Sequence, residues 1–209
     1  MITNQNIVGS NPTGYHLLKT IKIAIQKGRI LEILKKKLCR IGFEFNAKNR
    51  KLTLKSKDKK KEICFARPED IKIVFKKRIS DFFIMGLDTY LENKLDYKFI
   101  KLKSFRCDLS LIKRKKKECK KKILYTKYPN ILVKKNKYKK YKIIKVNGCL
   151  ELYLKKRACK YILDIVDTGK TVKSNDLLIK RKIKTIYIVI VINRNVKKYK
   201  VKNILKYLR

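Results

Sequence analysis

Three observations predict an α/β fold for this chain. Short apolar runs of strand length alternate along the sequence with segments whose apolar residues recur at helical spacing. The apolar content of 44% is enough for packed cores in a chain of 209 residues. One apolar run, residues 161–166, leads directly into a Thr-Gly-Lys-Thr turn, which is typical of a strand that is followed by a helix.

In the first half of the chain, predicted strands alternate with two predicted helices. Residues 21–26 form an apolar strand, and residues 30–38 carry apolar side chains at helical spacing with Gly42 as the stop signal. Pro68 and the two acidic residues after it predict a second helix, which ends at the cationic residues 76–78. Further strands are predicted at residues 51–54, 63–65 and 82–85.

In the second half, the alternation continues around a charged segment. Residues 97–103 and 107–112 are predicted as two strands that cross into a second domain, and residues 113–122 as a solvated loop. After the strand at 161–166 and its turn, residues 172–178 are predicted to start a helix. The remaining predictions are strands at 123–125, 142–146 and 183–192, and helices at 129–137, from Leu150, and at 196–208.

The turn after the strand at 161–166 has the chemistry of a phosphate site. A turn that ends a strand and opens a helix presents backbone N–H groups and the positive end of the helix dipole. A glycine permits close backbone approach, the threonine hydroxyls can donate hydrogen bonds, and a lysine adds a cation. The predicted phosphate-binding residues are Thr168, Gly169, Lys170 and Thr171.

Two carboxylates beside this turn narrow the ligand class. Asp164 and Asp167 would repel a bare phosphate, so they suit the hydroxyls of a sugar or a Mg²⁺ ion. The pattern therefore predicts a phosphorylated sugar as the ligand. An ordinary strand-to-helix turn with a glycine at positive φ is the alternative interpretation.

The net charge of +43 favours polyanions but does not define a nucleic-acid site. The 59 lysine and arginine residues, against 16 acidic ones, are mostly lysines spread along the whole chain. Glycine, proline and tryptophan are scarce while lysine, isoleucine and tyrosine abound, which is the pattern of an AT-rich coding bias. A nucleic-acid site would instead call for clustered arginine. We expect a basic enzyme without specific nucleic-acid binding; a basic RNA-binding protein remains the alternative.

The six cysteines predict neither a disulfide framework nor a metal site. They include no Cys-x-x-Cys pair, and a single histidine, His16, cannot complete a zinc site. Most of them stand in apolar runs, so we expect them to be buried in a reduced, cytoplasmic protein. The longest apolar stretch, residues 186–192, is too short to cross a bilayer, and no membrane association is expected.

The first twenty residues differ from the rest of the chain. Residues 1–20 lack the lysine density found elsewhere and contain no apolar core of a signal peptide. Their Gly-Ser-Asn-Pro run, residues 9–12, is what the T-arm of a transfer-RNA gene encodes when it is translated. We expect a disordered or non-native extension that carries no functional site.

Seven short blocks occur in the order of a known enzyme family. Residues 164–172, DIVDTGKTV, resemble the pattern D-L-V-[ED]-T-G-x-T-L. The other blocks, in chain order, are 23–29 (IAIQKGR), 67–71 (RPEDI), 81–86 (DFFIMG), 126–130 (TKYPN), 147–151 (NGCLE) and 174–177 (SNDL). Over about residues 21–209 the chain resembles ATP phosphoribosyltransferase, the first enzyme of histidine biosynthesis.

The resemblance implies a two-lobed architecture and partner proteins. The lobes are expected to fold like periplasmic-binding proteins of type II, with the active site in the cleft between them. Domain I, the nucleotide side, would comprise residues 21–104 and 184–209, and domain II, the phosphoribosyl pyrophosphate side, residues 105–183. The length resembles the short form, whose members form homodimers or larger oligomers and work with a regulatory subunit related to histidyl-tRNA synthetase.

The resemblance also implies a reaction and its residues. N1 of the ATP adenine would join C1 of phosphoribosyl pyrophosphate, releasing pyrophosphate, with Mg²⁺ carried by the substrate and Asp164 as its one candidate protein ligand. The expected sugar-side residues are Glu151, Asp164 and Asp167. The expected nucleotide-side residues are Lys27, Gly28, Arg29, Arg67, Gly86 and Asp88. Surface ion pairs or helix caps remain the alternative for Arg67 and Asp88, and Tyr128 and Pro129 are expected to set a turn and a helix start.

Several positions depart from the family pattern. The family block F-G-x-C-R-L appears here as SFRCDL, residues 104–109, which lacks the glycine and has Asp108 in place of the arginine. The family's A-P is replaced by Tyr153 and Leu154, and Arg157 and Lys160 replace the glycine and the acid of G-L-A-D. These departures keep two further alternatives open, a different phosphoribosyltransferase or phosphosugar-binding protein, and a decayed inactive copy. The intact phosphate turn favours an active enzyme.

Overall fold

The computed structural model describes residues 20–45, 51–116, 119–133 and 135–208. Within these ranges, nine strands form one mixed sheet and seven α-helices flank it. The strands are β1 (Ile21–Gln26), β2 (Thr53–Lys55), β3 (Lys61–Ala66), β4 (Phe82–Gly86), β5 (Phe99–Arg114), β6 (Ile123–Thr126), β7 (Lys142–Lys145), β8 (Tyr161–Val166) and β9 (Leu177–Ile192). The helices are α1 (Arg29–Arg40), α2 (Ile71–Lys76), α3 (Leu87–Glu92), α4 (Pro129–Val133), α5 (Leu150–Lys155), α6 (Lys170–Ser174) and α7 (Lys198–Leu208).

Two long strands join two lobes. The strand order is β2-β3-β1-β4-β9-β5-β8-β6-β7, and the antiparallel strands β9 and β5 run through the middle of the sheet. In the first lobe β3, β1 and β4 are parallel to each other, and in the second lobe β8, β6 and β7 are parallel to each other. Because β4 pairs antiparallel with β9 and β8 antiparallel with β5, the parallel strands of the two lobes point toward each other.

The central strands are apolar because helices cover both faces of the sheet. Every residue of β4 is buried, as is the run from residue 188 to 191 of β9, which fits strands packed on two sides. On one face of the first lobe, α1 and α7 bury side chains such as Leu34, Leu38 and Ile204 against β1 and β4. In the second lobe α5 and α6 bury Leu150 and Val172 against β8.

Among the residues that the structure describes, the apolar core crosses between the lobes on one face. A single cluster contains Phe75 of α2, Tyr90 of α3, Leu132 of α4 and Leu163 of β8, so it extends through both lobes. On the opposite face, the first-lobe cluster around α1 and the second-lobe cluster around α5 are separate. The lobes are therefore held together more firmly on the face that carries α3 and α4.

The alternating α/β pattern predicted from the sequence is confirmed, but several boundaries were wrong. The predicted strands 97–103 and 107–112 are one strand, β5, because its pairing with β9 continues past a register shift between Leu102 and Arg106. The predicted loop at 113–122 loses its first two residues to this strand, and residues 117–118 lie outside the described part of the chain. The predicted strand 183–192 begins earlier, at Leu177, because β5 supplies a partner for its charged half.

The helix predictions also needed correction. Residues 172–178 do not start a helix, because α6 spans Lys170–Ser174 and β9 begins three residues later. The helix predicted at 129–137 ends at Val133, and a 3₁₀ turn, Asn136–Tyr138, follows. The closing helix begins at Lys198 rather than at residue 196. Helix α3 was not predicted, because its six residues are too few to show a helical period.

Most cysteines are not buried, contrary to the expectation from their apolar surroundings. All six are unpaired thiols, and Cys159 alone is fully buried, whereas Cys39 and Cys149 are exposed. No helix in the described part of the chain has the length and apolar character needed to span a membrane. The predicted N-terminal extension, residues 1–20, lies outside the described residues except for Thr20, whose carbonyl accepts a hydrogen bond from Lys200.

Candidate active site

A cavity of about 470 Å³ lies where the two lobes meet. Its walls follow the carboxyl ends of β1, β4, β6 and β8, and its floor is formed by the middle of β5 and β9. The carboxyl ends of parallel strands are the usual ligand site of α/β folds. The lining residues are Gln26, Lys27, Arg29, Ile30, Ile33, Gly86, Asp88, Thr89, Phe105, Arg106, Cys107, Lys127, Tyr128, Asp164, Ile165, Asp167, Ile186, Tyr187 and Ile188.

The first lobe supplies cations and one buried carboxylate. Lys27 and Arg29 follow β1, and Gly28 between them adopts φ +95°, a left-handed conformation that favours glycine, before α1 begins. Gly86 ends β4 next to Asp88 in the first turn of α3. A Cβ at position 86 would collide with Oδ1 of Asp88, so a larger residue there would displace the Asp88 carboxylate.

Asp88 is held by Tyr128 across the cavity. The Asp88 residue is only 6% exposed, and its carboxylate shares a hydrogen bond with the Tyr128 hydroxyl. Burial, and then the nearby Asp88 charge, raise the pKa of Tyr128 far above its ordinary value. The neutral phenol therefore donates to the carboxylate, and this contact links the first lobe to the second.

Asp164 stands on the second-lobe wall near the end of β8. It is half-buried, and its Oδ1 accepts a hydrogen bond of 2.8 Å from the Ile165 amide. Burial raises the pKa of Asp164; the Ile165 amide and the Lys127 charge oppose this, whereas Glu151 and Asp88 add to it. The fold thus raises the pKa of Asp164, so this carboxyl keeps its proton to a higher pH than a carboxyl in water does.

Arg29 connects the two lobes on the other side of the cavity. Its Nη2 donates to Cys107 Sγ at 3.0 Å, and its Nη1 lies 3.7 Å from Asp167 Oδ2. The Arg29 and Asp167 side chains are 50% and 56% exposed, so water screens this pair strongly. Burial raises the pKa of Cys107 while the Arg29 charge opposes that rise, and the thiol remains protonated at neutral pH.

The predicted phosphate turn is exposed and adjoins the cavity at Asp167. Gly169 adopts φ +73° immediately before α6, as a strand-to-helix turn with a left-handed glycine requires. The Lys170 amide donates to Thr168 Oγ1 at 3.4 Å, and the Asn175 side-chain amide donates to the Thr171 carbonyl at 2.8 Å. The next two amides of α6, those of Thr171 and Val172, have no acceptor within the helix and can bind an anion.

The structure brings together most, but not all, of the predicted site residues. Those that line the cavity are Lys27, Arg29, Gly86, Asp88, Asp164 and Asp167. Those that adjoin the lining without forming part of it are Gly28, Glu151, Thr168, Gly169, Lys170 and Thr171. Arg67 is exposed before the 3₁₀ turn Pro68–Asp70 and lies outside the lining.

Several lining residues were not predicted. Lys127 and Tyr128 belong to the TKYPN block, for which the sequence predicts a turn and the start of a helix. The Tyr128 amide does donate to Thr126 Oγ1 at 2.9 Å and Pro129 begins α4, yet the Tyr128 side chain also lines the cavity. Phe105, Arg106 and Cys107 come from the middle of β5, and their FRC run within a family-like block was the available signal.

Three of the departures from the family pattern, at Asp108, Arg157 and Lys160, lie outside the cavity lining. Asp108 on β5 forms an ion pair of 2.7 Å with Lys182 on the neighbouring strand β9. Arg157 has φ +54°, the left-handed conformation that suits the glycine of the family pattern. The Lys160 ammonium lies 5.8 Å from the centre of the Tyr161 ring.

One departure does reach the cavity. Phe105 stands where the family block F-G-x-C-R-L has its glycine, and its side chain lines the cavity.

Comparison with known sequences gives a consistent result. A family model described as HisG, ATP phosphoribosyltransferase, matches residues 67–209. The chain is 33% identical over 201 residues to an ATP phosphoribosyltransferase of Brachyspira hyodysenteriae, covering 89% of this chain and 97% of the relative. It is 35% identical over 198 residues to one of Clostridioides difficile, covering 90% of this chain and 95% of the relative.

Solved structures agree with the sequence matches. The ATP phosphoribosyl transferase (HisG:HisZ) complex from Thermotoga maritima superposes with a TM-score of 0.72 at 26% identity, covering 90% of this chain and 96% of that chain. The fold alone is shared with the arginine-bound form of truncated ArgBP from T. maritima, at a TM-score of 0.54 and 13% identity over 92% of this chain and 94% of that one. The two-lobed fold of periplasmic-binding-protein type expected from the resemblance is confirmed. This chain belongs to the ATP phosphoribosyltransferase family.

Proposed function

We propose that the protein is an active ATP phosphoribosyltransferase that catalyses the first step of histidine biosynthesis. In this reaction a bond forms between N1 of the ATP adenine and C1 of 5-phosphoribosyl 1-pyrophosphate, and the bond from C1 to the pyrophosphate oxygen breaks. The observation that carries the proposal is the interlobe cavity, which gathers cations and carboxylates at the carboxyl ends of β1, β4, β6 and β8 in a chain of this family.

The phosphoribosyl group is assigned to the second lobe. The Thr168–Thr171 turn offers backbone amides, two hydroxyls and the Lys170 cation for the 5′-phosphate. Asp164 and Asp167 stand between this turn and the cavity, where carboxylates accept hydrogen bonds from ribose hydroxyls. The charge of Glu151 contributes to raising the pKa of Asp164 and adds to the negative potential on the sugar side.

The nucleotide is assigned to the first lobe. Lys27, Gly28 and Arg29 follow β1 and present two cations toward the phosphates of ATP. Gly86 and Asp88 form the opposite wall. We keep Arg67 as a candidate phosphate contact at the first-lobe rim, because it follows β3, the strand parallel to β1.

Catalysis then follows from charge placement rather than from a nucleophilic side chain. Breaking the C1–O bond develops positive charge on the ribose and negative charge on the leaving pyrophosphate. The carboxylates of Asp164 and Asp167 suit the ribose, and the Lys127 cation suits the pyrophosphate. The cavity would hold both substrates in a fixed relative orientation. The bimolecular step then becomes effectively unimolecular, which lowers its free-energy barrier.

Mg²⁺ is proposed as the metal that accompanies the pyrophosphate. No group of three His, Cys, Asp or Glu side chains in the described part of the chain is arranged to hold a metal ion by itself. A single protein carboxylate fits Mg²⁺, because this ion commonly binds through one or two carboxylates together with substrate phosphates. Asp164 is the proposed protein ligand, and the ion would neutralise charge on the leaving group.

The domain boundaries are proposed at residues 104/105 and 183/184. Two register shifts in the pairing of β5 with β9 support these boundaries. One lies between Leu102 and Arg106, and the other lies between Leu109 and Ser110, where the pairing skips Ile183 of β9. A shift in pairing bends a two-stranded ribbon, so these are natural positions for one lobe to tilt against the other.

A homodimer or larger oligomer with a HisZ-type regulatory subunit is proposed as the working assembly. The support is the structural relative named as a HisG:HisZ complex. The unpaired state of all six cysteines supports a reducing compartment such as the cytoplasm. Light scattering of the chain alone and with a HisZ-type protein measures the assembly directly.

Pyrophosphate release with ATP and phosphoribosyl pyrophosphate tests the proposed reaction. We expect release that depends on Mg²⁺ and on adenine, with guanosine, uridine and cytidine triphosphates and free bases as controls. Release with another base would assign the chain to a different phosphoribosyltransferase reaction. Binding of both substrates without release would indicate an inactive copy.

A further inference from the structure

Helix α3 belongs to the first lobe, yet both of its ends contact the second lobe. In its first turn, Asp88 meets the hydroxyl of Tyr128. At its last residue, Glu92 reaches the start of α4. Because Tyr128 directly precedes α4, the two contacts hold the same segment of the second lobe at two points.

The contact at Glu92 is a set of three hydrogen bonds. The Asn130 amide donates to Glu92 Oε1 at 3.2 Å, and the Ile131 amide donates to Oε2 at 3.2 Å. The Asn130 side-chain amide donates to the Glu92 backbone carbonyl at 2.9 Å. A carboxylate on the first amides of a helix makes charge-assisted bonds and complements the helix dipole.

Burial makes this contact stronger than the Arg29–Asp167 ion pair between the lobes. Glu92 is 9% exposed and lies beside the core that contains Tyr90 of α3 and Leu132 of α4. The Arg29–Asp167 pair on the opposite face is half-exposed and spans 3.7 Å. Exposed pairs at this distance contribute little, whereas buried charge-assisted bonds are expensive to break.

We propose that Glu92 is a positioning residue of the cleft. Its carboxylate clamps the start of α4 to α3, and this α3–α4 clasp, formed by Glu92, Asn130 and Ile131, fixes Lys127 and Tyr128 at the cavity wall. The inference rests on the proposed function, and it adds a residue that does not line the cavity and does not touch substrate.

The geometry explains why a residue outside the cavity governs it. Lys127 and Tyr128 occupy the short connection between β6 and α4, so their positions are set by those two elements. β6 is fixed by its pairing with β8, and the start of α4 is fixed by Glu92. Without the carboxylate, the start of α4 loses two of its three hydrogen bonds to Glu92 and keeps the bond from the Asn130 side chain to the Glu92 carbonyl. A displacement of about 1 Å at a reacting site can lower turnover about a hundredfold.

Two variants at position 92 test the proposal by steady-state kinetics and hydrogen exchange. Glu92→Gln retains one carbonyl acceptor, and Glu92→Ala retains none. We expect kcat to fall about tenfold in the first and about a hundredfold in the second, with smaller changes in KM for either substrate. In both, the amides of the peptide 128–133 should exchange faster than in the wild type, while peptides of β1 and β4 remain unchanged.

Matched variants separate positioning from a simple loss of stability. Glu44→Gln removes an equally charged carboxylate at an exposed ion pair with Lys57, and it should leave kcat and exchange unchanged. Asn130→Ala removes only the bond to the Glu92 carbonyl and should give a smaller decrease in kcat. This variant tests the clasp if the variants at position 92 do not fold. All rates are taken well below the unfolding temperature of each variant.

A folded Glu92→Ala enzyme with wild-type kcat and wild-type exchange at 128–133 would overturn the clasp. Failure of the proposed function is a different result, in which the wild type itself releases no pyrophosphate from the two substrates. The clasp is then judged by the exchange data and by calorimetric binding of phosphoribosyl pyrophosphate. Unchanged exchange and unchanged affinity in Glu92→Ala would overturn it in that case too.

Discussion

Arg157 adopts a backbone conformation that belongs to glycine. It follows α5 with φ +54°, its amide donates to the Leu154 carbonyl at 3.0 Å, and this is the left-handed residue with which many helices end. The family pattern has glycine at this position. A non-glycine residue in this region costs about 1–3 kcal/mol, so the departure from the pattern is a local strain rather than a change of fold.

Replacing Arg157 by glycine should therefore stabilise the protein. We expect Arg157→Gly to raise the free energy of unfolding by about 1 kcal/mol, since relief of strain outweighs the added freedom of the unfolded chain. Pyrophosphate release should not change, because position 157 does not line the cavity. Denaturant unfolding measures the effect. Lys155→Gly, at the last residue of the same helix, should instead destabilise by up to about 1 kcal/mol, and equal effects from both changes would contradict the strain argument.

Thr171 is expected to bind the 5′-phosphate of phosphoribosyl pyrophosphate. A charge-assisted hydrogen bond to phosphate contributes about 1.5–3 kcal/mol, so Thr171→Ala should raise KM for this substrate about tenfold to a hundredfold. Gly169→Val should act in the same direction, because a β-branched residue is strained at φ +73°. Thr53→Ala on the edge strand β2 is the control. An unchanged KM in folded Thr171→Ala would exclude the turn as the phosphate site.

Asp164 gives the site a defined pH dependence. Burial raises its pKa above the unfolded value of about 3.9, so the folded protein binds this proton more tightly than the unfolded chain does. The folded state therefore loses stability as pH rises through the folded pKa, and the loss is absent below about pH 3.9.

Asp164→Asn should for this reason raise the melting temperature at about pH 7, with a gain that shrinks toward about pH 4. The same variant should lose pyrophosphate release, since the proposed sugar-side carboxylate is gone. Thermal unfolding at several pH values measures the first effect, with exposed Asp176→Asn as the control. A gain that is independent of pH would show that burial of the charge is not its cause.

At the scale of the element, β5 and β9 determine how the lobes are joined. Each has 16 residues, and their pairing runs from Phe99↔Val191 in the first lobe to Arg114↔Leu177 in the second. The charged half of β9 has no apolar period, which is why its strand character depends on β5 as a partner. The cavity floor lies where this ribbon passes between the lobes.

The N-terminal segment is expected to be dispensable at this scale. β1 begins at Ile21, whose amide donates to the Lys60 carbonyl at 2.9 Å, so the first strand is anchored without the residues before it. Deleting residues 1–19 while retaining Thr20 should leave the melting temperature and pyrophosphate release near those of the full chain. Aggregation of the shortened protein, or loss of turnover, would show that the segment is part of the fold.

At the scale of the whole molecule, the net charge of +43 is expected to be functionally passive. Exposed charges are screened over about 8 Å at physiological salt, and their main effect is self-repulsion. Stability should therefore rise on adding moderate salt, and RNA binding should fade between about 50 and 200 mM salt without sequence preference.

Substitution of lysines at the second-lobe surface tests this expectation. Replacing Lys120, Lys121 and Lys122 with glutamine should leave pyrophosphate release near normal, since these residues lie outside the cavity lining. Filter binding of RNA and the kinetic assay, run in parallel, measure both effects. Sequence-selective RNA binding that survives about 200 mM salt would instead favour the RNA-binding alternative.

Local chemistry made part of this structure predictable from the sequence. Apolar runs identify the central strands, because a strand covered on both faces needs apolar residues throughout. The turn at 168–171 is recognisable because glycine tolerates the left-handed conformation that such a turn uses. Helix α3 and the charged half of β9 are not predictable in this way, since their form depends on partners distant in sequence.

The sequence by itself determined the α/β class, the phosphate turn and, through its ordered blocks, the family. Only the tertiary structure decided which of these pieces share a cavity. The opposed directions of the parallel strands bring Asp88 to Tyr128 and Arg29 to Cys107, and none of these pairs is close in the chain. No sequence motif marks Glu92, because its proposed role depends on backbone amides in a helix that begins 37 residues later. Contacts of that kind depend on packing, and local sequence does not encode them.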